Sequence, residues 1–249
     1  MASVQSVGRA FALLEAVGDE PSSLTELARR VALPISTASR LLSTLENLGA
    51  IERLDDVGLY RIGPSILKMA SSIDSSTSLA ALAHPELEAL GHKTGEAAGL
   101  GVAAGYTVQY ITQIDANQSV QVRDWVGVRI PMHLTSGGLV LLAHWPTDAV
   151  ESFLERGLHA QTTRSVTDPD KIRERLAQIL EVGVAWTIEE FEVGISSCSV
   201  PVFNGQGEVT ASLSVHGPSF RYPKGDRERF EGAAKAAARR ITELLGPQA

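Results

Sequence analysis

The stretch ALPISTASRLLSTLENLGAIERL, residues 32–54, constrains the fold more than any other part of the chain. Leucines recur along residues 35–48 at the spacing of an amphipathic helix, and Gly49 follows where a helix end favours a residue free to take positive φ. The opposite side holds short hydroxyl side chains and one arginine, with no acid between Pro34 and Glu46. A solvated helix usually carries Glu and Lys there, so this side is predicted to contact another molecule.

Two further helices and a hairpin are predicted around this helix. The first helix covers residues 7–17, with an inward face of Val7, Ala10, Phe11 and Leu14. The second begins at a capping box of Ser23 and Glu26, with an inward face of Leu24, Leu27, Ala28 and Val31. The inward stripe of the third helix is Ala38, Leu41, Leu42, Leu45 and Leu48. Strands at 51–54 and 59–62 flank a turn and form a wing.

Helix, turn, helix and wing in this order are typical of DNA-binding modules. The outer face of the third helix is Ser36, Thr37, Arg40, Ser43 and Thr44. Short hydroxyls can bond to phosphates or to either base type, and Arg40 can reach a guanine edge or a phosphate. The net charge is −7, so binding would depend on a few placed arginines and not on a basic field. Pattern alone leaves open a three-helix packing module with a Ser-rich surface.

The pattern changes beyond residue 64. Residues 65–72 are predicted as a short amphipathic helix, and residues 74–78 as an irregular linker. A helix at 79–93 is followed by strands in AAGLGVAAGYTVQYITQID and SVQVRDWVG and by a short buried helix in GGLVLLAHW. A helix capped at Asp168 runs to residue 181, strands follow in VAWTIEE, ISSCSVPVF and EVTASLSVHG, and residues 224–245 form a last helix. Helices that flank a mostly antiparallel sheet make an α+β domain.

Motifs in both halves carry a family resemblance. ELARRVALPISTASRLLSTLENLGAIER and YRIGP resemble the DNA-binding half of the IclR family of bacterial transcriptional regulators. GVRIPMHLTSGGLVLLA and EEFEVGISSCSVPVFNGQGEVTASLSVHGP resemble its effector-binding half. The resemblance implies a winged helix-turn-helix domain over residues 4–64, a linker helix over 65–78 and a GAF-like effector-binding domain over 79–247. It also implies a homodimer or a dimer of dimers on a palindromic operator in double-stranded DNA.

The resemblance also assigns candidate site residues. Pro34, Ser36, Thr37 and Arg40 match the recognition-helix motif of the family. The predicted DNA-binding residues are Pro34, Ser36, Thr37, Ser39, Arg40, Ser43, Thr44, Arg53 and Arg61. The implied effector-binding residues are Ser136, Gly137, Thr187, Ser197, Ser214 and His216. A helix that begins at Ser136 would offer free N–H groups and partial positive charge to an anion.

Three positions depart from the family pattern. Leu139 stands where many members have Lys, Ser197 where members that sense acids often have Cys, and Thr187 where some have an acidic residue. These changes make the pocket less polar and argue against a small effector such as glyoxylate or pyruvate. The predicted effector is a small organic anion with more apolar surface, such as an aromatic acid, or a lactone.

The alternative to a regulator is an enzyme with its catalytic site in the second domain. Cys198, His133 and His216 could serve as nucleophile and base. Neighbours on a strand face opposite sides, however, so Cys198 would point away from a pocket lined by Ser197. Glu189 and Glu190 are predicted on a solvated edge, not as an acid/base pair.

We predict a regulator and not an enzyme, with neither metal nor cofactor, because no metal-ligand spacing or phosphate-binding loop is present. The remaining alternative is a small-molecule-binding or enzymatic GAF-like protein whose N-terminal domain mediates only protein contacts. The first residues lack signal-peptide features, and no segment approaches the roughly 20 apolar residues of a membrane span. These features predict a cytoplasmic protein.

Overall fold

A computed structural model describes residues 4–54, 58–71 and 75–246. The chain divides into two compact units, Met1–Asp74 and Ser75–Ala249. Over the described ranges, no helix is long and apolar enough to cross a membrane.

The first unit consists of helices and a small sheet. Its helices are α1 (Gln5–Asp19), α2 (Leu24–Arg30), α3 (Ile35–Asn47) and α4 (Pro64–Ser71). Its strands are β1 (Ser22–Ser23), β2 (Ile51–Leu54) and β3 (Leu59–Ile62), which form an antiparallel sheet in the order β1-β3-β2. The predicted hairpin is confirmed, although residues 55–57 of its predicted turn lie outside the described residues.

Local signals explain where these helices begin and end. The Ser23 hydroxyl accepts the Glu26 backbone N–H at 3.3 Å and caps α2, whereas the Glu26 carboxylate bonds to Arg29, so the described residues show one of the two bonds of the predicted capping box. Gly49 takes a φ of +69° just after α3, so the helix ends where glycine is favoured. Leu13, Leu27 and Leu42 are fully buried and join α1, α2 and α3 in one core.

Two predicted inward faces are wrong in part. Val7 and Phe11 on α1 are 53% and 61% exposed, and Leu48 after α3 is 67% exposed. The buried side of α1 is centred on Leu13 and Val17 instead. Apolar residues occupy several sides of α1, so helical spacing alone cannot decide which side packs inward.

The second unit is an α+β domain, as predicted. Its helices are α5 (Ser75–Thr94), α6 (Ser136–Ala143), α7 (Thr147–Leu154), α8 (Pro169–Val182) and α9 (Arg227–Leu244), with a 3-10 turn at Met132–Leu134. Its strands are β4 (Ala97–Ala104), β5 (Thr107–Ile114), β6 (Arg129–Pro131), β7 (Ala185–Ile188), β8 (Ile195–Phe203) and β9 (Val209–Pro218). They form one antiparallel sheet in the order β6-β5-β4-β9-β8-β7.

Helices cover both faces of this sheet. Leu87 of α5 and Ile241 of α9 pack with Cys198 and other side chains in one core. Leu139 and Leu142 of α6 pack with Ile172 of α8 in a second core. Alternation along β8 separates the two cores, because neighbouring residues on a strand point to opposite faces.

The structure corrects two predictions in this unit and adds one helix. The stretch SVQVRDWVG, residues 119–127, forms no strand beyond an isolated bridge between Val126 and Tyr110, and β6 follows it. Residues 75–78 belong to α5 and not to an irregular linker. The sequence-based prediction lacks α7, although residues 147–154 are amphipathic.

Candidate functional site

The outer face of α3 is open to solvent, as the sequence predicts. Pro34, Ser36, Arg40, Ser43 and Thr44 are exposed, whereas Thr37 and Ser39 are half-buried. The Thr44 hydroxyl donates to the Arg40 carbonyl at 2.9 Å, so this hydroxyl is partly occupied within the helix.

Arg40 is available to a partner. Within the described residues of the first unit, the ion pairs are Arg29–Glu26, Arg30–Glu20 and Arg61–Glu52. None of them includes Arg40. A guanidinium with no carboxylate partner can bind a phosphate or a base edge without first breaking an ion pair.

The wing arginines are exposed but differ in their surroundings. Both Nε and Nη2 of Arg61 donate to Glu52 Oε2, at 3.0 and 2.7 Å, so a carboxylate offsets its charge. The Arg53 guanidinium lies 5.9 Å from the centre of the Tyr60 ring. Arg53 is therefore better placed than Arg61 to contribute positive charge to a ligand of the wing.

A cavity lies in the second unit beside the start of α6. Its lining consists of Tyr110, Trp125, Ile130, Leu134, Thr135, Thr187, Glu190, Phe191, Glu192, Ile195, Ser197 and His216. Three of the predicted effector-binding residues, Thr187, Ser197 and His216, are among them. The cavity volume is about 30 Å³, which is room for roughly two water molecules.

The other three predicted residues lie between α6 and the sheet. Ser136 is fully buried, and its hydroxyl lies 2.7 Å from Ser197 Oγ and 2.6 Å from Ser199 Oγ. Ser199 in turn bonds to Ser214 Oγ at 2.7 Å, and Thr187 bonds to Ser197 Oγ at 2.8 Å. These hydroxyls satisfy one another in a buried network, which connects Ser136 and Ser214 to the lining without placing them in it.

Gly137 faces the sheet and not the cavity. A Cβ on Gly137 would lie 2.9 Å from Ser212 Oγ and 3.1 Å from Ser214 Oγ. The next residue, Gly138, donates its N–H to Thr135 Oγ1 at 3.0 Å. Thr135 is therefore the residue that presents the N-terminus of α6 to the cavity, one position before the predicted Ser136.

His216 is a neutral side chain of the cavity wall. Burial lowers its pKa to about 4, with a smaller opposing effect from the Asp115 carboxylate. Its Nε2 lies 3.1 Å from Gln113 Oε1, and its ring meets the Tyr110 ring edge-on at 5.9 Å. A neutral imidazole offers one donor and one acceptor, so His216 can orient a ligand without adding charge.

Glu190 corrects the prediction of a solvated edge. It is 8% exposed and lines the cavity. Arg175 donates to its two carboxylate oxygens at 2.7 and 3.0 Å, and a third bond joins Arg175 to the Trp186 carbonyl. A buried carboxylate requires such a partner, and the partner is on α8, fifteen residues away in the chain.

Sequence reasoning misses several residues of the lining. Tyr110 lies on β5, whose alternation indicates a buried side chain but not its function. Trp125 and Phe191 lie in irregular segments, and their rings meet edge-on at 5.7 Å. No periodic pattern marks such residues, so only the folded chain shows that they close the cavity.

Cys198 lies on the opposite face of the sheet from Ser197, as the alternation predicts. It belongs to the core of α5 and α9, and burial raises the pKa of its thiol to about 12. His133 is also buried, and burial lowers its pKa. In the described part of the chain, no group of three or more His, Cys, Asp and Glu side chains could hold a metal ion.

Two family matches account for both units. Residues 6–55 match the IclR helix-turn-helix domain, and residues 70–243 match the bacterial transcriptional regulator IclR C-terminal domain. The chain belongs to the IclR family. It is therefore a transcriptional regulator with an N-terminal helix-turn-helix domain.

Individual relatives agree with the family match. The transcriptional repressor IclR of Escherichia coli is 30% identical over 248 residues, which cover 98% of this chain and 90% of that protein. The crystal structure of an IclR transcriptional regulator from Silicibacter sp. TM1040 has a TM-score of 0.79 at 27% identity and covers 98% of this chain and 97% of that one. An IclR homologue from Microbacterium hydrocarbonoxydans, crystallised with 4-hydroxybenzoate, has a TM-score of 0.62 at 26% identity, with 96% and 100% coverage.

These relatives decide between the two classes left open by the sequence. They are named as regulators and repressors. The chain is thus a regulator and not an enzyme.

Proposed function

We propose that this IclR-family protein binds double-stranded DNA through α3 and the β2–β3 wing, and that a small organic effector in the second unit alters promoter binding. The observation that carries the proposal is the outer face of α3. It is exposed, it bears short hydroxyls, and its Arg40 has no carboxylate partner among the described residues.

The proposed contacts with DNA differ in their chemistry. Arg40 is proposed to reach a base edge or a phosphate in the major groove, and Arg53 to reach a phosphate from the wing. The short hydroxyl side chains of α3 are proposed to contact the sugar-phosphate backbone of the DNA; they are Ser36, Thr37, Ser39, Ser43 and Thr44. Pro34 is proposed to set the start of α3. Arg61 is proposed to contact DNA only after it exchanges Glu52 for a phosphate.

The effector is proposed to occupy the cavity beside α6. Tyr110, Trp125 and Phe191 supply aromatic surface there, which supports a ligand with a ring. The relative crystallised with 4-hydroxybenzoate gives independent support for an aromatic acid. We propose that the acid group approaches Thr135, because the N-terminus of α6 favours negative charge.

The remaining parts of the proposal concern organisation. Residues 4–64 are proposed as the DNA-binding domain, 65–78 as a helical linker and 79–247 as the effector-binding domain. The protein is proposed to act in the cytoplasm as a homodimer or a dimer of dimers on a palindromic operator. Two linked recognition helices would compensate for the nearly balanced charge of residues 1–72, which contain seven Lys and Arg and eight Asp and Glu.

Arg40→Ala is the experiment that tests the proposal. Loss of the guanidinium should weaken binding to DNA from upstream of its gene by ~1–3 kcal/mol, while the melting temperature stays the same because Arg40 is exposed. Gel shifts at fixed salt measure the affinity. Arg239→Ala, which removes an exposed arginine from the second unit, is the matched control. Equal affinities for wild type and Arg40→Ala would reject α3 as the recognition helix.

A further inference from the structure

The cavity is covered by an irregular segment. Residues 115–128, which we call the cover segment, join β5 to β6 and contribute Trp125 to the lining. The Trp125 ring meets Phe191 across the cavity. Because the cavity holds only about 30 Å³, lining residues must move before an organic molecule larger than water can be fully enclosed there.

Side chains and one backbone bond to β5, from the Gly127 N–H to the Tyr110 carbonyl at 2.9 Å, hold the cover segment. Gln113 donates from Nε2 to the Arg123 carbonyl at 3.2 Å, and its Oε1 accepts the Trp125 N–H at 3.3 Å. Arg221, which pairs with the buried Glu96, donates to the Val120 carbonyl at 2.7 Å. These two side chains anchor the cover segment at two points, in addition to its backbone bond to Tyr110.

Gln113 differs from Arg221 because it also contacts the cavity wall. Its Oε1 lies 3.1 Å from His216 Nε2, and its Nε2 donates to Asp115 Oδ1 at 2.7 Å. The partners fix the orientation of the amide, since the Trp125 N–H can only donate and the Asp115 carboxylate accepts. His216 must therefore donate from Nε2, which leaves Nδ1 as the acceptor of its ring.

We propose that Gln113 is a positioning residue that couples the cavity wall to the cover segment. An effector that contacts His216 and shifts its ring changes the bond to Gln113, and this change loosens or tightens the hold on Arg123 and Trp125. The coupling deepens the proposed effector response and rests on it. Arg221 keeps the cover segment attached when Gln113 releases it, so loss of Gln113 frees part of the segment without unfolding the unit.

Hydrogen exchange of the free, full-length protein tests this role. Gln113→Met keeps the length of the side chain and removes its hydrogen bonds. The Trp125 amide, whose N–H Gln113 accepts, should then exchange at least about fivefold faster, while β4 and β9 stay protected as reporters of global stability. Gln109→Met is the control, because Gln109 is on the same strand and, over the described ranges, its Oε1 accepts only the Arg129 Nε–H, at 3.2 Å. Unchanged exchange in the cover segment of Gln113→Met contradicts the proposal.

His216 variants separate coupling from local support. His216→Leu cannot donate to Gln113 and should also speed exchange of the cover segment, and the double variant with Gln113→Met should exchange no faster than Gln113→Met alone. His216→Gln, whose amide can still donate, should restore slow exchange. Additive effects of the two substitutions, or fast exchange in His216→Gln, would overturn the coupling. These measurements use neither DNA nor effector, so their failure leaves the DNA-binding proposal to the Arg40 gel shifts.

Discussion

At the scale of a single residue, His216 shows how burial sets the chemistry of the cavity. The folded protein holds its imidazole neutral, with a pKa of about 4, whereas the unfolded chain has the ordinary value of 6.5. Between these two values the unfolded state binds more protons than the folded state, so stability is present above pH 6.5 and is lost as the pH falls.

This difference in pKa makes the free energy of unfolding depend measurably on pH. The contribution of His216 to the free energy of unfolding should fall by roughly 3 kcal/mol between pH 7 and pH 4. Urea unfolding of wild type and His216→Gln across this range measures it as the difference between the two curves. His84→Gln, at an exposed histidine of α5, is the control substitution. Parallel curves for wild type and His216→Gln would show that His216 is not held neutral by the fold.

Family motifs on strands predict part of the lining, and residues defined by distant partners are not predictable. The family motifs assign Thr187, Ser197 and His216 to strands whose alternation is clear, and all three line the cavity. Glu190 is predicted on a solvated edge, and the prediction is wrong because its partner Arg175 belongs to a different element. Sequence spacing carries no information on such pairs.

At the scale of elements, α6 is defined by its close approach to the sheet. All eight of its residues are buried, and Gly137 fits only because it has no side chain. The sequence predicts a buried helix here from its continuous apolar character. It cannot predict that Gly137 faces Ser212 and Ser214, because this requires the packing of α6 on β9.

Two glycine substitutions test this packing. Gly137→Ala should lower the free energy of unfolding by about 1–3 kcal/mol, because the added Cβ would overpack the sheet. Gly232→Ala is the control in α9, where no atom lies within 4 Å of the added Cβ, and it should be neutral or stabilise by about 0.5–1 kcal/mol. Urea unfolding gives both values. If Gly137→Ala were as stable as Gly232→Ala, the close approach of α6 would be wrong.

The cover segment shows why one predicted strand is absent from the sheet. SVQVRDWVG alternates as a strand does, and β propensity alone favours that interpretation. In a strand, the backbone groups of this segment would pair with a neighbouring strand. Here some of them bond instead to the side chains of Gln113, Arg221 and Asp124. These three side chains, two of which lie outside the segment, therefore explain why residues 119–127 form no strand.

At the scale of the whole molecule, charge limits how the protein can bind DNA. With a net charge of −7, long-range attraction to phosphates is weak, and affinity must come from a few contacts repeated by symmetry. We therefore expect a homodimer or a dimer of dimers at micromolar concentration. Sedimentation equilibrium measures the mass directly. A protein that sediments only as a monomer would contradict this expectation.

Selection from a pool of randomised duplex DNA tests the central claim most directly, because the protein itself chooses its operator sequence. Wild-type protein should retain and enrich an inverted repeat whose half-sites are centred ~34 Å apart or a multiple of that distance. Arg40→Ala should enrich the repeat less strongly and should relax the preference at the base that Arg40 contacts. A wild-type protein that enriches no sequence, or one whose enriched sequence has no internal symmetry, would contradict a symmetric DNA-binding regulator that recognises DNA through α3.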